Sequence, residues 1–278
     1  MLVRDLLAAT LDHRAELARL GQGSVSTIAG LRRRARPVAD GIGDVAINRI
    51  TRSALDLYAA RRVHAGIAPA TVNKELSLLQ LAFAWARGEG LAVSVDGVPR
   101  LKVEATEQRM IEKADAVAIM AKLPDHHRDA MRFMALTGVS PHELERIAPC
   151  DVVRGELRIG KRSGFPVKVA ARRRVIPLNA KSCEIAHDFA RGRAAEEPMF
   201  PRREATVKAL AKAQLKTGGP RLTPKIMRSL FASTVAMQQP EHVLQALLGH
   251  APGSTTTRRH YTRSSASTLR DATAALSF

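Results

Sequence analysis

The sequence predicts a mostly α chain with a small antiparallel sheet, divided into an all-helical region up to about residue 104 and an α+β region from about residue 105. Three observations carry that expectation. Apolar residues recur at helical spacing through most of the chain, punctuated by Gly and Pro. One stretch, Asp151 to Leu178, breaks that period with strand-like alternation. From Leu91 to Glu104, with Gly97 and Pro99, the periodicity lapses and the segment reads as a linker. The 278 residues suffice for two modest domains, each with its own core.

In the first region, Leu6, Leu7, Leu11, Leu17 and Leu20 mark a helix over Leu2 to Leu20, broken by Gly21 to Ser26. From Ile47, the residues Ile50, Leu55 and Tyr58 give a second apolar face, closed by Gly66. Pro69 to Thr71 starts the last helix, with Thr71 as its expected N-cap. That helix is apolar at Val72, Leu76, Leu79, Phe83 and Trp85 and ends at Gly88 or Gly90. The result is a four-helix unit with Arg32, Arg33, Arg34, Arg61 and Arg62 on its outer faces, suited either to a DNA groove or to solvent.

In the second region, Lys113 to Leu123 and Asp125 to Leu136 read as helices joined at Pro124. Thr137-Gly138 stops the second, and Pro141 opens another with Leu144 and Ile147 inward. Val153, Leu157 and Ile159, a turn at Gly160 to Gly164, then Val167, Val169 and Arg174 to Leu178 make the sheet. Ser182 to Arg191, Glu204 to Leu215, Thr223 to Met237 and Pro240 to Leu248 complete the helices, the last capped by Gly249.

Composition narrows the function. The chain carries 44 Lys+Arg against 26 Asp+Glu, a net charge of +18, with both regions basic. An excess of that size favours a polyanionic partner, and nucleic acid is the commonest one. Aromatics are only 4% of residues, which argues against a single-strand binder built on stacked bases. No apolar run is long enough for a membrane helix, and Met1 to Leu20 is too charged for a signal peptide, so the protein is expected in the cytoplasm, on the nucleoid. Cys150 and Cys183 are too few for a metal cage and are expected to be reduced and buried. Neither His126-His127 nor any carboxylate pair has metal-ligand spacing, so no metal and no cofactor is implied.

The stretch Leu247 to Thr262, LLGHAPGSTTTRRHYT, gathers a histidine past a helix end, a run of hydroxyl residues fit to cap a further short helix, two arginines and a tyrosine. Taken singly, His250 reads as a helix-end histidine and Tyr261 as a packing residue. Together the stretch resembles the C-terminal motif of the tyrosine recombinases, the phage integrases and chromosome-dimer resolvases. Two further stretches share the resemblance. Thr71-Val72-Asn73-Lys74-Glu75-Leu76 is similar to the start of the last helix in that family's core-binding domain. Thr223-Pro224-Lys225-Ile226-Met227-Arg228 is similar to its second motif, usually Thr-Pro-His-x-Leu-Arg.

The resemblance implies a helical core-binding domain followed by an α+β catalytic domain, closing on duplex DNA as a C-shaped clamp. It implies that Tyr261 attacks phosphorus to form a 3′-phosphotyrosyl bond, a linkage that conserves the bond energy for rejoining. Arg228 would fork two N–H donors onto non-bridging oxygens, and His250 would donate another hydrogen bond. Lys225 stands at the motif's usual histidine, a known family variant. Lys161, with Lys168 as competitor, would be the general acid on the hairpin. Tyr58, the other tyrosine, lies in a helix without such a setting. The interval from His250 to Tyr261 is longer than is usual in the family, by a loop around Ala251 to Gly253.

One position departs from the pattern. The family's first arginine lies in Thr-Gly-x-Arg-x-x-Glu-Leu, and this chain reads Thr137-Gly138-Val139-Ser140-Pro141-His142-Glu143-Leu144. Serine offers a neutral donor and no charge, and losing one preorganised donor costs about 3 to 4 kcal/mol of transition-state stabilisation. Arg132 or Arg146, or a neighbouring protomer or partner recombinase, would have to supply the cation. Two functions therefore stay open: a recombinase that cuts and rejoins DNA, or a DNA-binding regulator or architectural partner on the same scaffold. Residues after Thr262, including Leu269 and Leu276, would form a helix that docks on a neighbouring subunit in an oligomer or packs on its own domain.

Overall fold

The computed structural model describes residues 1–22, 25–103, 111, 113–165, 167, 172–218, 220–250 and 273–274. It divides into two compact units, Met1–Glu107 and Gln108–Phe278. Helices dominate both, and the described strands form one small antiparallel sheet in the second unit, the fold class expected from the sequence.

The first unit holds helices α1 (Val3–Arg19), α2 (Val25–Ile42), α3 (Arg52–His64) and α4 (Pro69–Gly88). Helix α2, which the sequence reading left undrawn, keeps Pro37 in its interior while Ala35, Val38 and Ile42 bury on either side of it. Helix α3 starts later than the apolar pattern suggests. The hydroxyl of Thr51 accepts the N–H of Ala54 at 3.2 Å and caps the helix there, so Ile47 and Ile50 are buried ahead of it rather than on it. Helix α4, in contrast, begins early: Pro69 takes the first helical position, where its missing N–H is no loss, and Thr71 lies inside the first turn instead of capping it. Leu20, expected inward, is 67% exposed at the end of α1.

The core of this unit is built from Leu6, Leu7, Val38, Leu55, Leu79 and Phe83. Within it the Tyr58 hydroxyl donates to Glu75 at 2.7 Å, and Arg62 forks onto the same carboxylate at 3.0 and 2.7 Å. Arg62 is therefore committed to the interior rather than to an outer face, whereas Arg32, Arg33 and Arg61 are exposed. The segment from Leu91 to Val103 has no helix or strand, yet Leu91, Val93, Val98 and Leu101 pack against the core. Asn73 holds it in place, donating to the Leu101 carbonyl and accepting the Leu101 N–H, both at 2.9 Å.

The second unit holds α5 (Lys113–Met120), α6 (Asp125–Thr137), α7 (Pro141–Leu144), β1 (Val152–Val153), β2 (Glu156–Ile159), β3 (Arg174–Pro177), α8 (Ala180–Ala190), α9 (Arg203–Thr217), α10 (Pro224–Gln238) and α11 (Glu241–Leu248). The sheet order is β1-β2-β3, antiparallel throughout, with Leu157 opposite Ile176 and Ile159 opposite Arg174. Arg154 and Gly155 both take positive φ between β1 and β2, the backbone a two-residue hairpin turn demands. Phe133 and Met134 of α6, Leu157 and Ile176 of the sheet, Phe231 of α10 and Leu247 of α11 share one core.

Cys150 is exposed and Cys183 partly buried, both free, which corrects the expectation of two buried thiols. The turn Pro149–Asp151 turns Asp151 inward, where it accepts the Ala148 N–H at 2.9 Å and pairs with Arg162, and so leaves Cys150 facing out. Among the described residues no helix is long and apolar enough to cross a membrane. The expected C-terminal docking helix lies outside the described residues except at 273 and 274. Thr273 is buried, and its carbonyl accepts an N–H from Asn179 at 3.2 Å.

Candidate active site

Helix α6 ends in left-handed Gly138 (φ 67°), and a Cβ there would stand 2.4 Å from the Phe231 ring, so only glycine fits. Two residues later Ser140 caps α7. Its hydroxyl accepts the Glu143 N–H at 3.3 Å, and the Glu143 carboxylate returns on the Ser140 N–H at 2.7 Å. This reciprocal capping fixes the Glu143 side chain, only 6% exposed, at the end of α6.

Three arginines converge on that carboxylate. Arg174, opening β3 and 5% exposed, forks onto both oxygens at 2.8 and 3.0 Å. Its Nε donates to the Leu247 carbonyl at 2.6 Å and its Nη1 to the Arg172 carbonyl at 3.2 Å. Arg228, on α10, donates from Nη1 to the Gly138 carbonyl at 2.6 Å and approaches Glu143 at 3.4 Å, while Nη2 donates to the Leu248 carbonyl at 2.7 Å. Arg172 Nη1 stands 4.0 Å from Glu143. Four pieces distant in sequence, the α6–α7 turn, β3, α10 and the end of α11, are thereby tied to one group. The arginines also occupy the last carbonyls of α11, which a helix end leaves without intrahelical partners.

Gly249 then turns the chain out of α11 with φ 65°. A Cβ at Gly249 would lie 3.0 Å from Arg172 Cα, so the absence of a side chain lets the strand entry lie against the helix end. His250 follows, half-buried, its N–H bonded to the Gln245 carbonyl at 3.1 Å.

The electrostatics follow from this packing. Burial by itself raises the Glu143 carboxyl, but the hydrogen bonds and charge of Arg174, the Ser140 N–H and the charge of Arg228 outweigh it and bring the pKa down to about 2. Burial lowers Arg228 to about 10, with Arg174 and Arg172 adding to the fall and Glu143 opposing it. His250 is lowered by burial and by the same three arginines, which favours the neutral imidazole at pH 7. Among the described residues, three guanidinium groups face this one carboxylate, which leaves the half-buried site with an excess of positive charge.

The structure brings Arg228, His250 and Ser140 to this one site. Lys225 is exposed on the first turn of α10 and lines a cleft of about 380 Å³ with Pro141, Arg203 and Thr223. Lys161 is exposed just after β2, with no bonding partner among the described residues. Tyr261 and Lys168 lie outside the described residues. Of the two arginines considered as substitutes for the missing one, Arg132 pairs with Asp129 at 3.2 Å, and the backbone carbonyl of Arg146 accepts from Arg162 at 3.1 Å. Sequence reasoning missed Arg172 and Arg174. The signal was present in the run Arg172-Arg173-Arg174 that leads into the apolar stretch Val175-Ile176-Pro177-Leu178.

Neither a family model nor a curated relative matches the chain. Solved structures do. The Tn1549 transposon integrase in complex with transposon right-end DNA aligns with a TM-score of 0.74 at 18% identity, covering 98% of each chain. A lambda integrase dimer bound to a COC′ core site aligns at 0.70 and 20% identity over 95% of each chain. A lambda integrase tetramer bound to a Holliday junction aligns at 0.68 and 20% identity, over 91% of this chain and 80% of that one.

Proposed function

The fold is that of the tyrosine recombinases Tn1549 integrase and lambda integrase over nearly the whole chain, and from it we propose that this protein cuts and rejoins duplex DNA through a 3′-phosphotyrosyl intermediate. The observation that carries the reading is the meeting of Arg228 and His250 in one site with more cations than its carboxylate neutralises. A scissile phosphodiester brings one negative charge, and the five-coordinate phosphorane gains a second. The site supplies donors for both without a metal.

In the forward step the Tyr261 hydroxyl gives up its proton to solvent as its oxygen bonds to phosphorus, the bond to the 5′ oxygen breaks, and that oxygen leaves as a hydroxyl with a proton taken from Lys161 or its competitor Lys168. Rejoining is the reverse attack by a 5′-hydroxyl. Arg228 Nε and one Nη2 proton have no partner among the described residues and are the pair assigned to non-bridging oxygens. His250 donates to the same phosphate, and Lys225, one turn before Arg228 on α10, borders it. The first unit is assigned to grip the DNA and the second to do the chemistry. The similar integrases are described bound to DNA as a dimer and as a tetramer, which supports duplex DNA as the partner and an oligomer, or a partner recombinase, on it.

A DNA-binding regulator without cleavage is the second reading, favoured by Ser140, whose oxygen is spent on the cap of α7. Trapping decides between them. On a nicked duplex that loses its cut fragment, the wild-type protein is expected to accumulate a covalent adduct absent from Tyr261→Phe. Salt-sensitive binding with no adduct supports the regulator.

A further inference from the structure

Ser140 leaves the site one cation short of the pattern it resembles, and the segment that leads into β3 provides a replacement. Arg172 and Arg174 sit two residues apart on the same side of the strand entry, but their situations differ. Arg174 spends Nε and both Nη groups on Glu143, Leu247 and Arg172 and is 5% exposed. Arg172 is 39% exposed, and among the described residues its side chain makes only the 4.0 Å approach to Glu143 and no hydrogen bond. Its backbone, in contrast, is fixed. The carbonyl accepts from Arg174, and the Cα lies where any side chain on Gly249 would press. A pinned backbone beside His250 with an uncommitted guanidinium facing the Glu143 carboxylate is the geometry of a preorganised anion ligand rather than of a structural ion pair. Its charge reaches both His250 and Arg228.

We infer that Arg172 supplies the second guanidinium on the scissile phosphate, taking the charge role for which the turn before α7 offers only Ser140. The inference rests on the reading of this site as one that binds a backbone phosphate. No bond to Arg172 is made or broken: its protons stay on the guanidinium, and its charge offsets the one gained by the phosphorane. Arg174 is a positioning residue, holding Glu143 and the Arg172 carbonyl.

The test removes charge from each side in turn. The probe is a duplex selected for tight binding from a random pool, remade with a neutral methylphosphonate walked one phosphate at a time across its centre. Wild-type affinity is expected to drop at the one phosphate the site holds. Arg172→Ala binds the charged duplex more weakly and shows little further drop at that phosphate, and Arg172→Lys recovers part of the difference. Because each variant is compared with itself on two DNAs, a general loss of folded protein cancels. An equal drop in wild-type and Arg172→Ala overturns the inference, whether or not the DNA is cut.

Cleavage is read on the same duplexes after nicking. The adduct rate of Arg172→Ala is expected to fall by about a hundredfold to a thousandfold, the effect of losing one preorganised donor. The double variant Ser140→Arg with Arg172→Ala regains most of it. A cleavage rate unchanged in Arg172→Ala contradicts the inference. Absence of any wild-type adduct overturns the cleavage reading alone, because the paired binding measurement still decides the place of Arg172.

Discussion

Glu143 accepts both arms of the Arg174 guanidinium, at 2.8 and 3.0 Å, with each side chain about 95% buried. Removing one member of such a pair leaves the other charged and without a partner, at a cost of roughly 3 to 5 kcal/mol. Glu143→Gln is therefore expected to destabilise the second unit by that order, and Arg174→Ala similarly, while the four-helix first unit is untouched. Thermal unfolding of the full chain followed by hydrogen exchange, resolved by unit, checks this.

The same pair sets an acid limit. The Glu143 carboxyl is depressed from 4.5 to about 2 in the folded chain. Its contribution is thus fully present above pH 4.5 and is lost as pH falls toward 2, a total of roughly 3 kcal/mol by linkage. Denaturant midpoints measured from pH 6 down to pH 2 should fall in that window for the wild type. The fall should be shallower for Glu143→Gln, which has no proton to take up.

Burial and three arginines hold the His250 pKa below its ordinary value. An anion seated among those arginines reverses part of that effect, so its pKa should rise when DNA binds. Histidine ring resonances titrated with and without duplex report the change directly. A pKa that stays fixed on binding places the phosphate elsewhere.

Glycine is required at two junctions of the site. At Gly138 and Gly249 the backbone has φ of 67° and 65°, and an added Cβ meets the Phe231 ring at 2.4 Å or Arg172 Cα at 3.0 Å. Alanine at either position should cost at least the roughly 1 to 2 kcal/mol of a left-handed non-glycine residue. Gly138→Ala should be worse, since its neighbour is a buried ring. Differential scanning calorimetry ranks them.

Much of this arrangement was legible in the sequence, and the failures have physical causes. Helix stops at Gly138 and Gly249, the Pro141 start and the antiparallel pairing of β2 with β3 are legible from turn chemistry and period, whereas the Arg154-Gly155 turn that separates β1 from β2 and the lack of a strand at Val167 are not. Boundaries slipped where a side chain competed with the apolar pattern, as at Thr51, or where proline took the first turn ahead of a better capping residue, as at Pro69 and Thr71. Arg228 and His250 were found through motifs that resemble a family. Arg172 and Arg174 escaped because their importance is a long-range fact: β3 meets Glu143 and the end of α11 only in three dimensions. Arg62 misled for the same reason, its partner Glu75 lying on the next helix.

The most direct measurement of the central claim is identification of the residue joined to DNA. Wild-type protein is incubated with a nicked duplex labelled at the 5′ end of the cut strand, digested with protease, and the DNA-linked peptide is sequenced by mass spectrometry. A phosphotyrosyl bond at Tyr261, with none at the buried Tyr58, is the predicted result. A DNA-bound protein that yields no linked peptide, or one linked through any residue other than Tyr261, contradicts it.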